Sequence, residues 1–144
     1  KIFNRVFNLE HFVRKMKIAT GVINMVSQYF ELDVDVSIRP THDCLPEDNG
    51  YCFNIGEGFY EIELHPEFLK TCTEDELVQV VSHEMTHVKQ HELDGLEIEV
   101  RRAFYRGEWY DPDDDYWFAP WEIEARGYER AFLSLWNRQW EQFV

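Results

Sequence analysis

At 144 residues, with 14 Lys and Arg against 28 Asp and Glu, the chain carries a formal net charge of −14. This length suits one domain, 1–144, and 44% hydrophobic with 16% aromatic residues supplies a core, which excludes a disordered acidic tail. Charge of this sign repels phosphate backbones and anionic lipid, so nucleic acid and membrane surfaces are disfavoured and neutral or basic partners are expected.

No stretch approaches the roughly 18 uninterrupted apolar residues of a membrane span. The N-terminal segment places charges and His11 where a signal peptide needs an unbroken apolar run, so it reads as part of the folded chain. Cys44, Cys52 and Cys72 are odd in number and lack CxxC spacing, which argues against a disulfide framework and a cysteine zinc site. A soluble, cytoplasmic protein is the expectation.

From Asn8 to Phe30, Leu9, Phe12, Val13, Met16, Ala19, Ile23, Val26 and Phe30 recur at three- and four-residue spacing. This predicts an amphipathic helix with Asn8 as its N-cap. Val34–Pro40 alternates with period two and stops at a proline, the pattern of a strand. A loop through Asn49 follows. Tyr51–Ile55 and Phe59–Leu64 then flank Gly56-Glu57-Gly58 as a hairpin, with Glu61 and Glu63 on one face of its second strand.

Thr73 and Glu76 form a capping-box pair at the head of a helix expected to reach about His91, with apolar residues on more than one side. A second hairpin is expected around Arg106-Gly107, followed by a solvated acidic loop, Asp111 to Asp115. Pro120 opens a C-terminal helix that carries Trp121, Ala125, Tyr128, Phe132, Leu135, Trp136 and Phe143 at helical spacing.

The central helix contains His83-Glu84-Met85-Thr86-His87, an HExxH pattern. Residues four apart share a helix face, so two imidazoles can converge on one metal while Glu84 reaches a water beside it. About 0.03 such windows are expected by chance in a chain of this composition, so a third ligand must be sought before the pattern carries chemistry. His91 lies two turns, about 12 Å, beyond His83, too far to share the ion. His11, His42 and His65 have no motif around them, which leaves Glu122 and Glu124 on the C-terminal helix.

HEMTH, followed by EIEAR beginning at Glu122, resembles the gluzincin metallopeptidases, which pair HExxH with a glutamate ligand in an ExxA context on a later helix. HEMTHVKQ with PWEIEARGYE is most similar to small zinc-peptidase-like proteins of phages and bacteria. The resemblance spans Thr73 to about Glu129. It implies an α+β, minimal zincin-like fold: an N-terminal helix, a small, mostly antiparallel sheet with an edge strand, the HExxH helix and a ligand-bearing C-terminal helix. It also implies one Zn2+ held by His83, His87 and Glu122, with Glu124 as the alternative ligand, and hydrolysis of peptide bonds with Glu84 as general base.

One departure stands out. Where many relatives carry Asp after the ExxA alanine to hold a ligand histidine, this chain has Arg126, which cannot accept from imidazole. Glu129, one turn on, is the candidate for that task, and Arg126 could pair with Glu122 or with a substrate carboxylate. The family also implies an edge strand that binds substrate backbone, for which Phe59–Leu64 is the candidate. Its Glu61 and Glu63 either face the cleft and favour basic side chains or form a wet outer face. Tyr110, Tyr116 and Tyr128 are candidate oxyanion donors. The competing expectation is an inactive zincin-like binding or scaffold module with a structural or vestigial metal site.

Overall fold

The computed structural model describes residues 2–43, 48–111, 114 and 116–144, with side chains from Leu9 onward. Cys44 and much of the predicted acidic loop (Pro112, Asp113, Asp115) lie outside the described residues. The element order is α1 (Ile2–Phe30), β1 (Asp35–Pro40), β2 (Gly50–Gly56), β3 (Phe59–Leu64), α2 (Pro66–Thr71), α3 (Glu74–Leu93), β4 (Glu97–Ile98), β5 (Ala103–Tyr105), β6 (Glu108–Tyr110) and α4 (Pro120–Gln139). Short 3-10 turns cover Tyr116–Phe118 and Trp140–Gln142. The fold class is α+β, and no helix among the described residues is long and apolar enough to cross a membrane.

Helix α1 starts at Ile2, so Asn8 is interior and not its cap. No Gly or Pro precedes Asn8 to stop the helix extending backward. Helix α3 begins as expected: the Thr73 hydroxyl accepts from the Glu76 backbone N–H at 3.1 Å and the Glu76 carboxylate accepts from the Thr73 N–H. Leu77, Val78, Val81, Met85 and Val88 are fully buried along it, because α3 packs between α1, α4 and the first sheet. Together with Val22 and Val26 of α1, Ile62 and Leu64 of β3, and Phe132 and Trp136 of α4, they make the main core.

The first sheet has the order β1-β3-β2, with β1 parallel and β2 antiparallel to β3. It is therefore mixed, and β3 (Phe59–Leu64) is its central strand, not an edge. Local alternation cannot reveal a parallel partner supplied by an earlier strand. Glu61 and Glu63 lie on the outer face of the sheet beside exposed Ser37 and Arg39, Glu61 part-exposed and Glu63 buried. Arg39, on β1 opposite Glu63, binds both carboxylates at 2.8 Å. The edge that borders α3 is β2, and it approaches closely. A Cβ at Gly50 would stand 2.9 Å from Val80 Cγ1 and 3.2 Å from Leu64 Cδ2.

A second sheet, β4-β5-β6, closes the other side. Its hairpin turns at Arg106-Gly107 with φ of 50° and 84°, the left-handed pair that a tight two-residue turn requires. Leu96, Ala103, Tyr105 and Trp121 form a smaller core beneath it.

The crowding at Gly50 predicts that Gly50→Ala destabilises the chain by about 1–3 kcal/mol, as overpacking does, because Val80 and Leu64 must give way. Urea denaturation with an unchanged m-value would show this; a neutral result would mean that β2 can retreat from α3 freely.

Candidate metal centre

Helical spacing places His83 and His87 one turn apart on α3, and α4 crosses that face with Glu122 buried against them. The two Nε2 atoms lie 3.2 Å apart. Glu122 Oε2 is 3.1 Å from His83 Nε2, and Glu122 Oε1 is 3.0 Å from His87 Nε2. A tetrahedral ion with bonds of ~2.0 Å holds its ligand atoms roughly 3.3 Å apart, so this triangle has the dimensions of a coordination face. His83, His87 and Glu122 are a group able to hold a metal ion.

The far sides of the rings fix their tautomers. His83 Nδ1 lies 2.7 Å from Glu129 Oε1, and a carboxylate can only accept, so Nδ1 carries the hydrogen. His87 Nδ1 lies 2.7 Å from Gln90 Oε1. The orientation of that amide is set by its other end, where Nε2 donates to the Trp121 carbonyl at 2.8 Å. In their neutral forms both imidazoles would therefore turn Nε2 lone pairs towards each other and towards a carboxylate. Only a cation or an added proton relieves that arrangement, so the donor set fits a metal.

The electrostatics agree. Burial lowers the proton affinity of His83, but the bonds to Glu122 and Glu129 outweigh it and push its pKa up to about 10. Burial would raise Glu122, yet hydrogen bonds from His83 and His87 hold it far below the carboxylate range. The site is built to attract positive charge.

Glu84 is buried on the same turn and lines the cleft beside both histidines. Desolvation raises its carboxyl above the usual range, and the neighbouring His87 and His83 oppose that rise. The cleft, about 270 Å³, lies between edge strand β2 and the short strand β4, with Tyr51, Cys52, Ile98, Tyr116 and Trp121 in its walls.

Glu124 turns away from the metal face. Its Oε1 accepts from Lys89 at 2.8 Å and from Gln90 at 3.2 Å, and its Oε2 lies 2.5 Å from Arg106. Two residues along a helix is a rotation of about 200°, so a glutamate serving this cluster cannot also serve the histidines. Glu129 holds His83, the task for which the sequence offered it. Arg126 does not pair with Glu122: its guanidinium donates to the Trp117 carbonyl and stacks over the Trp117 ring at 4.8 Å.

Of the three tyrosines, only Tyr116 reaches the cleft. Burial, and then the charge and hydrogen bonding of Glu122, raise its phenol. Tyr110 packs on Trp121, and its hydroxyl lies 3.3 Å from Glu108. Tyr128 belongs to the aromatic core, stacked on Phe132 at 5.3 Å and edge-on to Phe30. His91 stands in the cleft wall, donating from Nδ1 to the Leu96 carbonyl at 2.8 Å. Sequence reasoning missed Gln90, although its spacing of three from His87 on one helix face was a usable signal.

Compared with protein families, with curated proteins and with solved structures, the chain matches none. What the fold and the site define is an α+β domain with a two-histidine, one-glutamate group beside a buried acid.

Because Glu129 and Gln90 orient the two imidazoles, Glu129→Ala and Gln90→Ala should each weaken metal binding about 10–100-fold while leaving the ligands in place. Competition against a chelator of known affinity measures this; unchanged affinity in both variants would remove them from the site.

Proposed function

We propose that this chain is a zinc-dependent peptidase of the gluzincin type. The observation that carries the reading is the convergence of both Nε2 lone pairs and the Glu122 carboxylate within 3.2 Å, with a buried carboxyl, Glu84, next in sequence to the first of those ligands. Two imidazoles and one carboxylate suit zinc, which would polarise a carbonyl and lower the pKa of water towards ~7.

The remaining steps belong to the chain. Glu84 takes the proton as water adds its oxygen to the scissile carbonyl carbon. It then delivers that proton to the nitrogen as the C–N bond breaks and the amine leaves. Burial raises its carboxyl above the usual range, which favours taking up the proton. Tyr116 supplies a hydroxyl donor on the cleft wall for negative charge developing on the carbonyl oxygen. Strand β2, in place of β3, is an edge of the sheet among the described residues and borders the cleft at Gly50–Cys52, where an extended peptide would add to it.

The test joins metal content to turnover. The wild-type chain should carry about one zinc, His83→Ala and Glu122→Ala should empty the site, and Glu84→Gln should keep zinc while losing about 10²–10⁴-fold in peptide hydrolysis. A chain that loads zinc but cleaves no peptide, with or without Glu84, would assign the metal a structural role instead.

A further inference from the structure

The cleft has a charge balance that singles out one residue. Among the described residues that line it, the carboxylates are Asp48, Glu84 and Glu122, and none is Lys or Arg. A divalent ion would offset Glu84 and Glu122 together, leaving Asp48 as the uncompensated charge. Asp48 lies just ahead of β2, is exposed, and projects its field inward: it adds to the negative potential felt by Tyr51, Glu84 and Tyr116.

The neighbouring hollow, about 440 Å³, shares Tyr116 and Trp121 with the cleft and is lined by Asp111 and Asp114, with no basic residue among its described lining. Three cations of the surrounding elements are engaged elsewhere. Arg126 is committed to Trp117, and Lys89 and Arg106 to Glu124 and Asp94. The half-exposed rings of Tyr51 and Tyr116 flank the space that remains, surfaces on which an aliphatic stem or a cation packs well.

We propose that the cleft selects peptides carrying a Lys or Arg side chain beside the bond to be cut, and that Asp48 is the specificity residue that receives the cation. The inference rests on the peptidase reading and names its substrate class. Asp48 is neither a candidate metal ligand nor a proton-transfer group, so its role is read in which peptide binds, on probes that are not cut. The acidic residues of β3 have no part in this selection, since Arg39 holds both.

The probes are short peptide hydroxamates, which anchor on zinc and are not cut, with Lys, norleucine or Glu beside the hydroxamate. Calorimetry on the zinc-loaded chain should rank Lys about two- to fivefold tighter than norleucine and Glu weakest. Asp48→Asn should erase the Lys advantage and leave norleucine affinity and thermal stability unchanged. Asp48→Lys should reverse the order of Lys and Glu. Equal affinity for Lys and norleucine in the wild type, an equal loss for all three probes in Asp48→Asn, or no binding of any hydroxamate would overturn the proposal. Cleavage assays on the matching amides test the parent reading separately: probes ranked as expected with no amide cut would leave cation selection standing and remove peptidase activity.

Discussion

The structure depends on a repulsion built into its centre. Three electron-rich groups, two imidazole Nε2 atoms and the Glu122 carboxylate, are held within 3.2 Å of one another, and the hydrogen on each ring is kept on the far nitrogen by Glu129 and Gln90. Buried lone pairs facing each other are costly in a medium of low dielectric, so without a cation the site takes up a proton, and the pKa of His83 is pushed up to about 10. Packing must supply the constraint. The fully buried side chains of α3 and the anchor residues Phe132 and Trp136 of α4 prevent the two helices from sliding apart to relieve it. A divalent cation turns the same geometry from unfavourable to favourable, so metal binding and the stability of the α3–α4 contact are linked.

A second polar cluster sets the rotation of α4. Glu124 accepts from Lys89 and Gln90 of α3 and pairs with Arg106 of the β5–β6 turn, while Asp94 at the end of α3 binds Lys89 and Arg106. Burial works to raise the Glu124 carboxyl, and these donors bring it below its ordinary value, so it remains charged and gripped. Gln90 joins the two clusters, accepting from His87 with its oxygen and donating to the Trp121 carbonyl and Glu124 with its nitrogen. Fixing Glu124 on one side of α4 directs Glu122, about 200° round, onto the histidines.

The parts of this arrangement that are local in the chain were legible in its sequence. HExxH spacing, the Thr73 capping box, Pro120 at a helix start and both hairpin turns are short-range patterns, and each stands where it was expected. What sequence could not supply were choices made by distant partners. The residue pattern left Glu122 and Glu124 open and only the ExxA resemblance favoured Glu122; in the fold Lys89, Gln90 and Arg106 hold Glu124 on the other side of the helix. The central position of β3 depends on β1 pairing in parallel, and the same strand supplies Arg39, which holds the two glutamates of the outer face. Tyr116 and Tyr128 are similarly anonymous until folding puts one in the cleft and the other against Phe132.

Arg126 stands where the resemblance leads one to expect Asp, and Glu129 shows how a helix can meet the same need from another position. The residue after Ala125 points round the helix to Trp117, where a guanidinium can stack and donate. Glu129 stands seven residues after Glu122 (129 − 122), close to two full turns, and so returns to the same face. His83 is thereby held between two carboxylates of α4, Glu122 at Nε2 and Glu129 at Nδ1. A carboxylate accepting from Nδ1 increases electron density at Nε2 and strengthens it as a donor, whereas the neutral Gln90 amide does so less for His87. The two imidazoles are consequently inequivalent, and the net charge of −14 says nothing of this: what matters is that one acid was placed behind a ring instead of in front of it.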